Sequence, residues 1–309
     1  MKYRVLIAGQ EGMVGNSIYK FLKKKKFKII DCKRKNLDFT DQKSVDKWFK
    51  KKKPDLVINA AGKVGGILDN KLFQSDYLYI NSMIGLNIIH ASNKYGVKKL
   101  INLGSACIYP KNTQQPIKES SLLSSSLEET NEGYALAKIL SLKYSQYLRK
   151  KLKKQFISLM PANLYGIGDN FDLRSSHVLP ALVKKFTLAK IRKLSSVEVW
   201  GSGKVKREFL NVEDLSSAIH FIIKKNIKND FINVGGGEHY SIKELSYILK
   251  KIIGFKGKII FNRRYPDGVK KRKLNSNIMK KLGWKPKVKL KEGLIEYCDY
   301  YKRNILPNE

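Results

Sequence analysis

The chain has 309 residues, room for one large or two modest domains. It carries 62 Lys and Arg against 26 Asp and Glu, a net charge of +36, and 42 % of it is apolar. That apolar share excludes wholesale disorder, and no run of 18 apolar residues exists to cross a membrane. The basic start, Met1-Lys2-Tyr3-Arg4, leads into an apolar run too short for a signal peptide. Three widely spaced cysteines, Cys32, Cys107 and Cys298, argue against a disulfide scaffold and for a reducing, cytoplasmic location. Lys outnumbers Arg by 52 to 10, whereas phosphate forks and base readout favour Arg. The charge therefore reads as surface composition, and neither a nucleic-acid nor a membrane partner is expected. A basic nucleic-acid-binding protein remains the alternative from a different class, with salt-sensitive binding as its signature.

Strand and helix patterns alternate from the start. Residues 3–8 form a buried strand, 9–15 a glycine-rich turn and 13–22 a helix with Val14, Ile18, Phe21 and Leu22 on one face. Residues 28–31 are a second strand. Residues 41–51 are a helix that Asp41 caps, burying Val45, Trp48 and Phe49. Strands at 56–60, 100–104 and 156–160 alternate with long helices at 76–95 and 130–152. This rhythm predicts an α/β fold, a Rossmann-type doubly wound parallel sheet, over residues 1–165. Beyond 165 the rhythm loosens. Helices are expected at 177–189, 213–225, 241–253 (capped by Ser241), 276–282 and 290–302, with strands at 197–200, 231–234 and 258–261. Residues 166–309 are expected to be mainly a smaller C-terminal α/β substrate-binding lobe, with about 205–235 returning to the first domain's sheet.

Gly9-Gln10-Glu11-Gly12-Met13-Val14-Gly15 is a G-x-x-G-x-x-G turn between a strand and a helix. Glycines let backbone N–H groups approach a pyrophosphate, and the helix N-terminus adds partial positive charge. Asp31, at the end of the second strand, suits a ribose hydroxyl and hence NAD. The following Lys33-Arg34-Lys35 suits a 2′-phosphate, with Arg34 as main partner. NADP(H) is favoured and NAD(H) stays open.

Tyr134-Ala135-Leu136-Ala137-Lys138 sets a phenol and an ammonium one helical turn apart. The ammonium is expected to lower the phenol's pKa and ready it for proton exchange with a carbonyl or alcohol oxygen. Ser105 follows the fourth strand, at the sheet edge where ligands bind, and its hydroxyl can reach the same oxygen. The glycine turn, Asn59-Ala60-Ala61-Gly62, Ser105 and the Tyr134/Lys138 pair together resemble the extended short-chain dehydrogenase/reductase superfamily.

Longer stretches narrow the resemblance. They are Ala61-Gly62-Lys63-Val64-Gly65-Gly66-Ile67, Leu103-Gly104-Ser105-Ala106-Cys107-Ile108-Tyr109-Pro110, Thr130-Asn131-Glu132-Gly133-Tyr134 and Met160-Pro161-Ala162-Asn163-Leu164-Tyr165-Gly166. Ser176-His177-Val178-Leu179-Pro180, Val199-Trp200-Gly201-Ser202-Gly203 and Arg207-Glu208-Phe209-Leu210-Asn211 complete the set. In this order they resemble the GDP-L-fucose synthase family, nearly end to end. That resemblance implies an NADP-dependent enzyme acting on GDP-4-keto-6-deoxy-D-mannose. It would epimerise C3 and C5, whose protons are α to the ketone, and then reduce C4. It implies Ser105, Tyr134 and Lys138 for the reduction, and Cys107 and His177 as the acid and base of epimerisation. Cofactor contacts are implied at Gly9, Gly12, Met13, Val14, Gly15, Arg34, Ala60, Ala61, Leu103, Lys138 and Asn163. Substrate contacts are implied at Asn163, His177, Trp200, Arg207, Lys271 and Arg272, the last two reversing the family's Arg-Lys order after Pro266-Asp267-Gly268. No metal is implied, and the family suggests a homodimer. Glu11 stands where the family commonly has a basic residue, which leaves NAD open. A reductase without epimerisation, or one for another GDP-4-keto-6-deoxy sugar, is the nearest alternative.

The lysine runs at 23–26, 50–53, 150–154, 184–185, 224–225 and 250–251 are expected to close helices, where cations complement the helix dipole. Those ends lie on the sheet edge opposite the chemistry.

Overall fold

A computed structural model describes residues 3–265 and 267–308; the Met1-Lys2 start and Pro266 lie outside them. In chain order the first half runs β1 (Arg4–Ala8), α1 (Met13–Lys24), β2 (Lys28–Ile30), α2 (Gln42–Lys52), β3 (Leu56–Asn59), α3 (Ile67–Leu72), α4 (Gln74–Lys94), β4 (Lys99–Leu103), α5 (Glu132–Leu152) and β5 (Gln155–Pro161). The second half runs β6 (Asn163–Tyr165), α6 (Val178–Ile191), β7 (Ser196–Trp200), β8 (Lys206–Asn211), α7 (Val212–Ile223), β9 (Phe231–Val234), β10 (His239–Ser241), α8 (Ile242–Ile253), β11 (Lys258–Asn262), β12 (Lys271–Arg272), α9 (Asn277–Leu282) and α10 (Leu290–Tyr300).

Six strands form one parallel sheet in the order β2-β1-β3-β4-β5-β9. Alternation along β1 explains the two covered faces. Val5 and Ile7 pack with Ile18 and Leu22 of α1 and Ile219 and Ile222 of α7. Leu6 and Ala8 pack with Val45 and Phe49 of α2 and Ile88 and Ile89 of α4. A separate core gathers Leu182, Val183 and Phe186 of α6, Leu245 and Leu249 of α8, and Leu294 and Tyr297 of α10. Within 205–235, α7 and β9 return to the large sheet, but β8 does not. It is the centre of a second sheet, pairing with β6, β10 and β12.

Local signals act as their chemistry requires. The Asp41 carboxylate accepts the Lys43 N–H at 3.0 Å to start α2. Ser241 and Glu244 form a reciprocal capping box on α8. Lysines close α1, α2, α5 and α8, and Lys224 ends α7. The expectation for 184–185 is corrected: these residues lie in the middle of α6. There the Lys185 ammonium sits over the Trp200 ring, 4.7 Å from its centroid. The buried Lys99 donates to the carbonyls of Ile222, Ile223 and Lys225, capping α7 from inside. Among the described residues no helix is long and apolar enough to cross a membrane.

One carboxylate joins the two halves. Glu208 of β8 is 1 % exposed. It accepts the N–H of Gly237, beyond β9, at 2.8 Å and that of Leu274, beyond β12, at 2.7 Å. Burial raises its pKa, and the backbone donors offset only part of that penalty. Replacing Glu208 with Ala strands these buried donors. The expected loss is about 3 kcal/mol in urea unfolding, from the desolvation penalty of unpaired amides.

Candidate active site

The sheet order reverses between β1 and β3, which opens a crevice at their carboxyl ends. Gly9 follows β1 with φ +79°, a conformation that favours glycine, and a Cβ there would sit 2.8 Å from the Ala61 backbone beyond β3. A Cβ on Gly15 would collide with the Gly9 carbonyl, so α1 packs directly on the turn. Gly12 differs. Its backbone is ordinary extended chain, φ −77° and ψ 164°, and a Cβ there meets nothing closer than 3.6 Å. The protein's own packing demands Gly9 and Gly15 but not Gly12. A phosphate group drawn close to the α1 N-terminus does demand it. No acidic residue occupies that helix's first turn and no side chain caps it. Beside it, the buried Gln10 Oε1 has no protein partner. These features fit a dinucleotide pyrophosphate.

At the far rim Asp31, Lys33, Arg34 and Lys35 are all exposed. The Glu11 carboxylate accepts the Arg34 backbone N–H at 2.7 Å, binding the glycine turn to the segment after β2. Glu11 thus has a structural task, and the rim carries both signs of charge.

The reactive groups gather beyond β4. Ser105 caps a single 3-10 turn, 106–108, its Oγ accepting the Cys107 N–H at 3.1 Å. The Tyr134 phenol faces the Ser105 hydroxyl. The Lys138 ammonium donates to the Leu103 carbonyl at 3.2 Å and lies 5.6 Å from the Tyr134 ring centroid. Lys138 is expected from sequence to lower the phenol's pKa; the structure gives the opposite direction. Burial raises the Tyr134 pKa, the nearby Cys107 adds to the rise, and the Ser105 hydroxyl offsets only part. Burial also brings Lys138 itself down to about 8. At neutral pH Tyr134 is a phenol with a proton to give.

Two guanidiniums approach the same turn. Arg207 of β8 donates to the Val269 carbonyl at 2.6 Å and the Asp267 carbonyl at 3.3 Å. Burial, then repulsion from Arg272, lowers its pKa to about 10, while Cys107 and Glu128 pull the other way. Arg272 of β12 is buried and donates to the Ala106 carbonyl at 3.0 Å, bracing the Cys107 turn, while its Nη2 has no partner. Lys271 alternates to the opposite side of the strand, exposed near His239. Of that pair, Arg272 faces the Cys107 turn and Lys271 faces away from it. His177 is exposed at the N-cap of α6, and desolvation by the surrounding protein lowers its pKa. The preceding Ser175 carbonyl accepts the Gly66 N–H at 2.8 Å, which ties this segment to the loop after β3. Asn163 donates to the Glu208 carbonyl at 2.9 Å. Trp200 is half-exposed, stacked on Tyr265 with centroids 4.2 Å apart and covered by Lys185.

Several of these neighbours escape sequence reasoning. Lys185 is hidden in a lysine-rich chain, and Tyr265 carries no pattern of its own. Tyr77 meets Tyr134 edge-on at 6.2 Å, with its hydroxyl on Asp69, and only a three-dimensional contact reveals it. Asn131 lies inside a recognised stretch, but nothing in the sequence says which way it points.

A glycine turn at the switch point and a Ser-Tyr-Lys group beyond β4 define a class of sites, and residues 5–235 match the family model described as NAD dependent epimerase/dehydratase. The chain belongs to that family. Among its relatives is a GDP-L-fucose synthase from Sinorhizobium fredii, 45 % identical over 99 % of this chain and 97 % of the other. Family members of solved structure include a GDP-6-OMe-4-keto-L-xylo-heptose reductase from Campylobacter jejuni. It superposes with a TM-score of 0.91 at 34 % identity, covering 97 % of each chain. A GDP-mannoheptose C4 reductase from Campylobacter jejuni with NADP bound superposes at 0.88, also 34 % identical, over 97 % of this chain and 98 % of the other.

The buried Lys138 sets function against stability. Its pKa falls from 10.5 to about 8 on folding, so the folded state holds the proton less tightly than the unfolded one. Its contribution to stability is worst below about pH 8 and improves up to about pH 10.5, a span worth about 3 kcal/mol. Replacing Lys138 with Met should abolish ketone reduction yet raise the melting temperature at pH 7, because removing the buried charge outweighs the hydrogen bond of about 1 kcal/mol. Thermal unfolding and NADPH oxidation, run side by side, check both halves.

Proposed function

We propose that the protein converts GDP-4-keto-6-deoxy-D-mannose to GDP-L-fucose with NADPH, epimerising C3 and C5 and then reducing C4. The observation that carries the reading is the meeting of Cys107 with Ser105, Tyr134 and Lys138 at one sheet edge, with Arg207 and Arg272 beside them. A reductase alone needs only the Ser-Tyr-Lys set. A thiol in contact range adds a group able to exchange carbon-bound protons.

The substrate's diphosphate pairs with Arg207, whose charge is already partly buried, and Trp200 offers a flat apolar wall to the sugar or base. Tyr134 and Ser105 hydrogen-bond the C4 oxygen and stabilise the negative charge of an enolate there. Cys107 removes a proton from a ring carbon next to that carbonyl. His177 returns one from the other face, which inverts the carbon. NADPH held at the glycine turn would supply the hydride that reduces C4 after both inversions. Tyr134 gives its proton to the C4 oxygen, and Lys138 holds the phenol's surroundings and the cofactor's ribose in register. Arg34 and its lysine neighbours would give a 2′-phosphate cationic partners, which favours NADPH over NADH, and Glu11 is already engaged by the Arg34 backbone. The three unpaired cysteines suit a reducing cytoplasm.

A second reading, C4 reduction of another GDP-4-keto sugar, is favoured by the likeness to the Campylobacter reductases. One experiment separates them. Incubation with GDP-4-keto-6-deoxy-mannose in D2O, with NADPH or NADH, is followed by NMR of the product. The expected product is GDP-L-fucose bearing deuterium at C3 and C5, formed faster with NADPH. Replacing Cys107 with Ser should cut deuterium entry at least a hundredfold; an unchanged rate removes Cys107 from the chemistry, and a product without deuterium supports the second reading.

The working unit is a homodimer built on α4 and α5. These helices pack together and leave Leu78, Tyr79, Leu136, Leu140 and Tyr147 exposed, with Tyr79 65 % and Tyr147 61 % accessible. A second copy covers that face by pairing the two helix pairs. Sedimentation of a Leu140→Glu/Tyr147→Glu double variant should give a monomer where the parent gives a dimer.

A further inference from the structure

Asn131 stands at the N-cap of α5, where an asparagine side chain normally accepts a hydrogen bond from the helix's first turn. Here it makes no such bond. Its Nδ2 instead donates to Cys107 Sγ at 3.5 Å. Its Oδ1 is fully buried and has no partner among the described residues. A capping bond is commonly worth about 1 kcal/mol, so local helix energetics do not account for this orientation. The side chain faces the reactive turn at the expense of its own helix.

We propose that Asn131 is a positioning residue for the epimerisation step, its amide N–H directing the Cys107 sulfur at the sugar ring. The inference rests on the function proposed above. A hydrogen bond donated to sulfur favours the charged form over the neutral thiol. The other groups around Cys107 come from three further elements. The Tyr134 phenol of α5 is coupled to it. The Arg207 guanidinium of β8 attracts it and is itself flanked by Glu128. Arg272 of β12 braces the preceding carbonyl without touching the sulfur. The Ser105 hydroxyl fixes the Cys107 backbone. Arg207 supplies charge, whereas Asn131 supplies the direct donor and hence the direction of the sulfur lone pairs.

In the step served, the thiolate takes a proton from a carbon next to the C4 carbonyl. A new S–H bond forms as the C–H bond breaks. The C–H electron pair moves into the enolate, whose charge rests on the oxygen bonded by Tyr134 and Ser105. Asn131 keeps its protons throughout.

The test does not need the sugar. Cys32 and Cys298 are buried, and burial pushes both thiols up to about 12, so iodoacetamide near neutral pH reads Cys107, with Cys107→Ser giving the background. The pH profile of alkylation should shift upward in Asn131→Ala, with about tenfold slower reaction at pH 7. Asn131→Asp is the second variant, since aspartate suits an N-cap and protects folding. Its carboxylate beside the sulfur should slow alkylation at least as much. A profile that is unchanged, or shifted to lower pH, in the folded variants overturns the proposal. Deuterium entry at C3 and C5 should fall in parallel at pH 7 and recover at alkaline pH, a recovery that a merely structural defect would not give. A shifted thiol profile with undiminished deuterium entry would overturn the role of Cys107 in epimerisation, and with it this role of Asn131.

Discussion

A carboxylate is buried where the two lobes meet. Glu208 lies on the central strand of the second sheet and accepts backbone N–H groups from the segments that follow β9 and β12. β9 belongs to the large sheet and β12 to the small one. The anion therefore fixes the small sheet against the carboxyl edge of the large one. Arg207 is its neighbour on β8, and Arg272 lies two residues before Leu274. Both guanidiniums owe their approach to the Cys107 turn to this junction. Burying the carboxylate is unfavourable in itself, as its raised pKa records, and the amides offset part of the penalty.

The site is a place where burial has outweighed charge pairing. Lys138, Arg207 and Arg272 are cations withdrawn from water with few acids to answer them. Arg207 and Arg272 repel one another, and one Arg272 nitrogen has no partner. In the proposed function the diphosphates of the dinucleotide and the nucleotide sugar bring anions to this cluster. A ligand that relieves this repulsion binds the folded state tightly and stabilises it by mass action. The overall charge of +36 plays a lesser part. Many of its lysines close helices on the far edge, where they answer the helix dipoles, and Lys185 is the member of those runs that reaches the site region.

The alternating pattern, the caps at Asp41 and Ser241, and the glycine turn could be read from the chain because each depends on neighbours within a few residues. Short-range periodicity specifies which face of a strand or helix is apolar, and capping chemistry acts over three or four positions. Short elements were another matter. α3, β6, β10 and β12 have too few residues for a period to emerge, and the six-residue β8 finds partners as far away in sequence as β12. Of residues 205–235, α7 and β9 join the large sheet. β8 pairs instead with β6, β10 and β12, a choice decided by what lies on either side of it in space.

The chain by itself determined the residue types of the chemistry: a phenol and an ammonium one helical turn apart, a hydroxyl after β4, a thiol two positions on. It did not determine their protonation. The spacing of Tyr134 and Lys138 suggested a lowered phenol pKa, but desolvation, which needs the whole surrounding protein, raised it. Nor could it choose between Lys271 and Arg272, or tell that Asn131 abandons its helix for Cys107. Bond connectivity carries spacing and sidedness. Burial, field and hydrogen-bond direction are sums over atoms brought together from distant parts of the chain, and only the folded structure performs that sum.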